Sequence, residues 1–158
     1  MAGGRFVCHV SEFPVWSYKK AHGFAGGQTT GGPSRTGLVS ENSYLFLSGD
    51  GYDLQWAPGA KPGPDVGWTQ CDFTKGSLMT NGRGGHQHFN ASNEPARYLV
   101  LRYGNYSFGV GGETNDHGGD RGMEDRGQIE YEDEDPRIRT LFEAECAKRG
   151  VKSEMPTA

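Results

Sequence analysis

Glycine supplies 26 of the 158 residues and interrupts the chain every few positions. No Gly-X-Y period runs through it, which excludes a collagen triple helix. Glycine this dense predicts many turns and few long helices. Short runs rich in apolar and β-branched residues lie between the turns: Arg5–Val10, Ser43–Ser48, Tyr52–Trp56, Gly67–Phe73, Ser77–Thr80, His86–Ala91, Arg97–Tyr103 and Tyr106–Val110. Their composition and their turn-bounded spacing read as strands. Gly49-Asp50-Gly51 joins two of them and predicts a hairpin of Ser43–Ser48 with Tyr52–Trp56. Aromatic residues make up 11% of the chain, too many for wholesale disorder.

The character changes near the end. Residues 111–128 are charged, glycine-rich and without apolar periodicity, and read as a mobile loop. Glu130, Glu132, Asp133, Glu134 and Asp135 form an acidic patch, read either as a cation site or as a solvated run before a helix. Asp135-Pro136 carries a capping aspartate and a proline at the first helical position. Ile138, Leu141, Phe142 and Cys146 recur on one helical face. Lys148 and Arg149 suit the negative end of the helix dipole, and Gly150 stops it. The expectation is a single domain over residues 1–158, with a β-barrel core over about 5–110 and one helix over Pro136–Arg149. The fold class is all-β, a barrel or sandwich with a C-terminal helix.

A net charge of −4 gives no basic surface, so no nucleic-acid partner is expected. No apolar run approaches the ~18 residues of a membrane-spanning helix, so no membrane partner is expected either. The cysteines Cys8, Cys71 and Cys146 are odd in number and widely spaced, which suits reduced thiols. No charged-then-apolar leader opens the residues given, and a cytoplasmic location is the expectation. A nucleophile elbow, a Walker loop and a strand-linked GxGxxG are all missing from the sequence.

The sharpest chemical signal is Gly84-Gly85-His86-Gln87-His88-Phe89-Asn90. On a strand, His86 and His88 project from one face. Two imidazoles fixed by rigid backbone make a pair of ligands for Zn, Cu, Fe, Ni or Mn. The plainer reading is two hydrated histidines on a wet strand face. His9 reads as a packed strand residue and His117 as a solvated loop residue.

Around that pair the sequence resembles the cupin superfamily, in particular small bacterial single-domain cupins with an HQHFN second motif. Gly76, Gly84, His86 and Asn90 fall on the second cupin motif, with the Gly76–His86 spacing one residue short and Gly82 at the proline position. The run Leu45–Tyr52 resembles the hairpin that closes the first motif. The first motif itself departs from the pattern. His22 matches its first histidine, but Phe24 stands at the second. Gln28 lies nearest the expected glutamate, and residues 29–42 insert before its final glycine, Gly49.

The resemblance implies a cupin-type double-stranded β-helix, the jelly-roll barrel, and a homodimer. It also implies a divalent transition metal held by His22, His86 and His88, with Gln28 as a further ligand. Glu41 stands within the insertion and is the candidate general base. Arg97 and Arg102 fall on opposite faces of their strand, so one of them is a candidate inward clamp for a substrate carboxylate, the plainer reading of each being surface charge or an ion pair. Arg97 is the candidate. The leading functional expectation is a metal-dependent enzyme acting on a small organic substrate, a dioxygenase foremost. The alternatives are a non-catalytic small-molecule binding or sensor module, a lyase or decarboxylase, and a sugar-active isomerase or copper-dependent polysaccharide-oxidising enzyme.

Overall fold

A computed structural model describes residues 6–22, 42–57, 60, 63–81, 84–103 and 129–156. Among the described residues, eight strands precede a helix: β1 Phe6–Phe13, β2 Ser17–Tyr18, β3 Asn42–Ser48, β4 Gly51–Gln55, β5 Thr69–Phe73, β6 Leu78–Thr80, β7 His86–Asn90, β8 Ala96–Tyr103 and α1 Pro136–Lys148. The expected loop 111–128 and the expected strand 106–110 lie outside the described residues.

The strands form two four-stranded sheets, ordered β1-β8-β3-β6 and β2-β7-β4-β5. All pairings are antiparallel. That order is the paired Greek key of a jelly roll, a barrel-like sandwich. Among the described strands, only β4 and β5 are neighbours in sequence that also pair; every other step crosses from one sheet to the other. The expected hairpin of Ser43–Ser48 with Tyr52–Trp56 is therefore corrected. β3 pairs with β6 and β8, while β4 pairs with β5 and β7. Gly49 at φ +83° turns the chain across the gap, and a Cβ there would meet Ala96 Cα at 2.7 Å. A tight glycine turn permits either route, because what decides pairing is burial of the aromatic face.

There are two cores. Inside the barrel, Phe13, Tyr44, Phe46, Phe73, Met79, Ala96, Tyr98 and Val100 pack together. Phe46 and Phe73 stack across the sheets with ring centroids 3.7 Å apart. Outside the second sheet, Tyr18, Tyr52, Leu54, Trp56 and Phe89 meet Ile138, Phe142 and Cys146 of α1. The helix forms as its sequence dictates. The Asp135 side chain accepts from Arg137 N, Pro136 opens the first turn, and Gly150 follows at φ +72°. Because both faces of the second sheet are covered, every residue of the polar strand β7 is buried.

The outer face of the first sheet has no such cover among the described residues. Val10, Leu99, Leu45 and Leu78 stand in cross-strand register on it. Val10 is 50% exposed and Leu78 is 68% exposed.

Candidate functional site

The histidines gather in the barrel through strand parity. β7 alternates, so His86, His88 and Asn90 face the barrel interior while Gln87 and Phe89 face the helix. Gln87 is anchored on the helix side, donating to Lys19 O at 2.9 Å and to Glu134 Oε2 at 2.8 Å. Part of the acidic patch is therefore structural, since Glu134 also accepts from Tyr18 Oη at 2.6 Å. Burial pushes the Glu134 carboxyl above its usual range, against the lowering effect of those two bonds.

His22 reaches the same cavity by an irregularity. Ser17 and Tyr18 pair with Asn90 and Phe89, and Lys19 N donates to His88 O at 3.0 Å. His22 then exchanges both backbone hydrogen bonds with His86, at 3.0 and 2.9 Å. Three steps from Lys19 to His22 thus oppose two from His88 to His86, which is a β-bulge. Without the extra residue, Ala21 would stand opposite His86. The bulge sends Ala21 to the helix-side core and aims His22 inward.

The ring centroids of His22 and His86 lie 4.1 Å apart, those of His86 and His88 5.1 Å, and those of His22 and His88 6.3 Å. His22 Nδ1 lies 3.0 Å from Lys20 O, which assigns the proton to Nδ1 and leaves Nε2 as the electron-pair donor. His86 Nδ1 lies 2.9 Å from Asn81 Nδ2, and its Nε2 lies 3.0 Å from the Tyr44 hydroxyl. Burial lowers the His22 pKa to about 4. Burial and the neighbouring His22 and His88 hold His86 well below its ordinary value. Both imidazoles are therefore neutral near pH 7, the form that ligates a metal.

His88 is different. Its Nδ1 stands 2.7 Å from Asp53 Oδ1, with both side chains almost wholly buried. The pair is close but poorly aligned, since neither atom makes a hydrogen bond of good geometry. His88 Nε2 is also buried without a hydrogen-bond partner. An orphaned buried nitrogen of this kind costs about 1–3 kcal/mol, a penalty that a ligand there would remove.

The donor chemistry fits a divalent transition metal: two neutral imidazoles and a third with an orphaned Nε2, backed by a carboxylate and a carbonyl. The side chains are not drawn together as ligands, however. Among the described residues, no group of three or more His, Cys, Asp or Glu stands in a metal-binding arrangement. His86 in particular gives its Nε2 to Tyr44.

The rings of His22, His86 and His88 thus stand side by side within the barrel, without a ligand arrangement. Arg97 does not join them. It lies on the outer face of its sheet, half-exposed, and pairs with Glu12 at 3.1 Å. Its expected inward role is corrected for a simple reason: Ala96, Tyr98 and Val100 take the inward parity of β8. Gln28 and Glu41 lie outside the described residues, as do His117 and nearly all of the 29–42 insertion. Asn90 is structural. It donates to Pro14 O and Glu94 O at 2.9 Å each and accepts from Ser92, tying the β1–β2 corner to the β7–β8 turn.

Sequence reasoning missed Asp53, Asn81, Tyr44 and Lys19. Asp53 carries the clearest signal: a carboxylate between Tyr52 and Leu54 in a strand has to be satisfied inside or exposed. Lys19 is the inward cation that Arg97 is not. Its Nζ donates to Ser11 Oγ at 2.7 Å and to Tyr98 Oη at 2.8 Å. Burial lowers its pKa to about 8, and burial raises that of Tyr98 to about 12.

Comparison with family models finds no match for the chain. Comparison with curated proteins finds none either. Among solved structures, the chain is similar to a cupin protein from Bacteroides fragilis, with 15% identity over 77% of this chain and 73% of that one, at a TM-score of 0.42. The strand order alone, with each sheet built from alternating crossings, establishes the jelly roll.

Proposed function

We propose that the barrel is a metal-dependent enzyme site for a small organic substrate, with His22, His86 and His88 as the ligands of a divalent transition metal (Fe, Mn, Cu, Ni or Zn) and a dioxygenase as the leading reaction class. The observation that carries this reading is the orphaned Nε2 of His88, buried inside the barrel beside two neutral imidazoles. Bound there, such a metal supplies Lewis acidity or a site for O2.

The chain's own residues supply orientation and exclusion of water. The Lys20 carbonyl fixes the His22 tautomer. Asp53 sets the rotation of the His88 ring from behind. Asn81 and Tyr44 hold His86, which becomes a ligand only when the Tyr44 hydroxyl yields its Nε2. Tyr44, Tyr98 and Phe46 line the cavity and keep its dielectric low. Fold alone does not select the reaction, because jelly rolls host many chemistries.

The test is metal content by mass spectrometry on protein purified without chelator, beside His86→Ala/His88→Ala. About one transition metal per chain, lost in the double variant, supports the site, and O2 consumption by the metal-loaded protein then tests the reaction class. A chain that takes up none of the five metals overturns the enzyme reading. The rival, a metal-free binding module, draws support from the Tyr44–His86 bond, which closes a ligand position. We further propose a homodimer through the Val10–Leu99–Leu45–Leu78 face, an apolar row that no described residue covers.

A further inference from the structure

We propose that Lys19 and Tyr98 form the receptor for a carboxylate group of the small molecule that the histidine cavity takes. This rests on the reading of that cavity as a ligand site, and it adds the chemical class of the ligand.

Backbone register places the ammonium. Lys19 N donates to His88 O at 3.0 Å, so Lys19 stands opposite His88 and its side chain takes the same inward parity. The ammonium lies 5.3 Å from the Phe13 ring centroid and 4.8 Å from that of Tyr98. Its hydrogen-bond partners, the Ser11 and Tyr98 hydroxyls, are both neutral. No described carboxylate forms an ion pair with it. The adjacent residue makes the contrast: the Lys20 ammonium pairs with Glu130 on the other side of the strand.

A cation withdrawn from water calls for an anion, and the described residues supply none in an ion pair with Lys19, which leaves the place for a ligand. The donors suit an oxyanion. An ammonium has three N–H bonds, and two of them are spent on hydroxyl oxygens. The third remains, beside the Tyr98 hydroxyl, which is also hydrogen-bonded with the Ser11 hydroxyl. The remaining N–H of the ammonium suits a charge-assisted hydrogen bond to a carboxylate oxygen. The Tyr98 ring also packs against the His88 ring, with centroids 5.0 Å apart. A carboxylate seated at Lys19 is thus one aromatic ring away from the orphaned His88 Nε2.

The experiment is calorimetric titration of the whole chain, held metal-free with chelator, with acetate and benzoate and with their neutral amides, acetamide and benzamide. At least one acid is expected to bind saturably and about tenfold more tightly than its amide, the size of effect a charge-assisted hydrogen bond confers. Lys19→Met keeps the aliphatic stem and should erase that preference. Tyr98→Phe keeps the ring and should reduce it by a smaller factor. Circular dichroism identifies a variant that has failed to fold, and the acid–amide comparison on the parent chain then decides alone. The proposal is overturned if neither acid outcompetes its amide. It is equally overturned if folded Lys19→Met binds the acids as the parent does, which would make Lys19 only a latch between β1 and β2. Metal content is read separately, so acid preference without metal uptake sinks the metal reading and leaves this one standing, and the reverse result sinks this one alone.

Discussion

Asp53 and His88 face each other directly across β4 and β7, with Oδ1 2.7 Å from Nδ1 and neither side chain open to solvent. A carboxylate behind an imidazole fixes the ring and strengthens the opposite nitrogen as a donor. Asp53→Asn keeps the shape and removes the charge. Metal affinity should fall by about 10–100-fold, as for other carboxylates behind ligand histidines. Competition with a chromogenic chelator measures this, and unchanged affinity would remove Asp53 from the site.

Tyr44 makes the opposite prediction. Its hydroxyl lies 3.0 Å from His86 Nε2. Tyr44→Phe removes a competing bond worth about 1 kcal/mol, so metal affinity should rise by roughly fivefold. A fall instead would show that Tyr44 supports His86 rather than competes for it.

Gly84 opens the loop that leads into His86. A Cβ there would stand 1.7 Å from Trp56 O, an impossible contact with backbone. Gly84→Ala must push β7 away from the end of β4, and should lower stability by about 1–3 kcal/mol in urea unfolding. Gly67, where a Cβ meets nothing within 4 Å, is the control. Gly67→Ala should change stability by no more than about 0.5 kcal/mol.

The apolar row on the first sheet predicts self-association. Leu78, the most exposed of the large hydrophobic residues, pairs with Leu45 in register. Leu78→Asp should convert a dimer to a monomer in sedimentation velocity without loss of the fold. A parent chain that is monomeric at all concentrations rejects the dimer.

Much of this fold is legible in the sequence, and the exceptions have physical reasons. Strand runs and turns are local properties, so β3, β4, β7, β8 and α1 stand close to where composition and capping place them. Which strands pair is not local. The Gly49–Gly51 turn reads as a hairpin, yet burying Tyr44 and Phe46 inside the barrel sends β3 and β4 to different sheets. The outward side of β3 carries Leu45 and Leu47, so hydrophobicity alone cannot choose the inner face. The histidine pair follows from strand parity, whereas His22 depends on a bulge that no turn residue signals. Arg97 and Lys19 show the same limit. Long cations are drawn outward or inward by their partners, and Glu12 holds Arg97 outside while Ser11 and Tyr98 receive Lys19 within.

Acid should destabilise the metal-free chain in a defined window. His22 has its pKa lowered from 6.5 to about 4 by burial, and His86 is lowered by burial and by its histidine neighbours. The unfolded chain binds the proton first as pH falls below 6.5. Stability therefore declines from there and stops declining, on account of His22, below about pH 4. For His22 alone the shift corresponds to roughly 3 kcal/mol. Glu134 acts in the opposite sense, because its raised pKa favours the protonated form in the folded chain. A variant is thus needed to attribute the slope. With chelator present, the urea midpoint should fall between pH 6.5 and pH 4, and His22→Gln should remove a large part of that fall. A midpoint as steep in the variant as in the parent would mean that His22 takes up its proton without unfolding, and that the cavity admits water and charge where the packing around His86 and His88 excludes both.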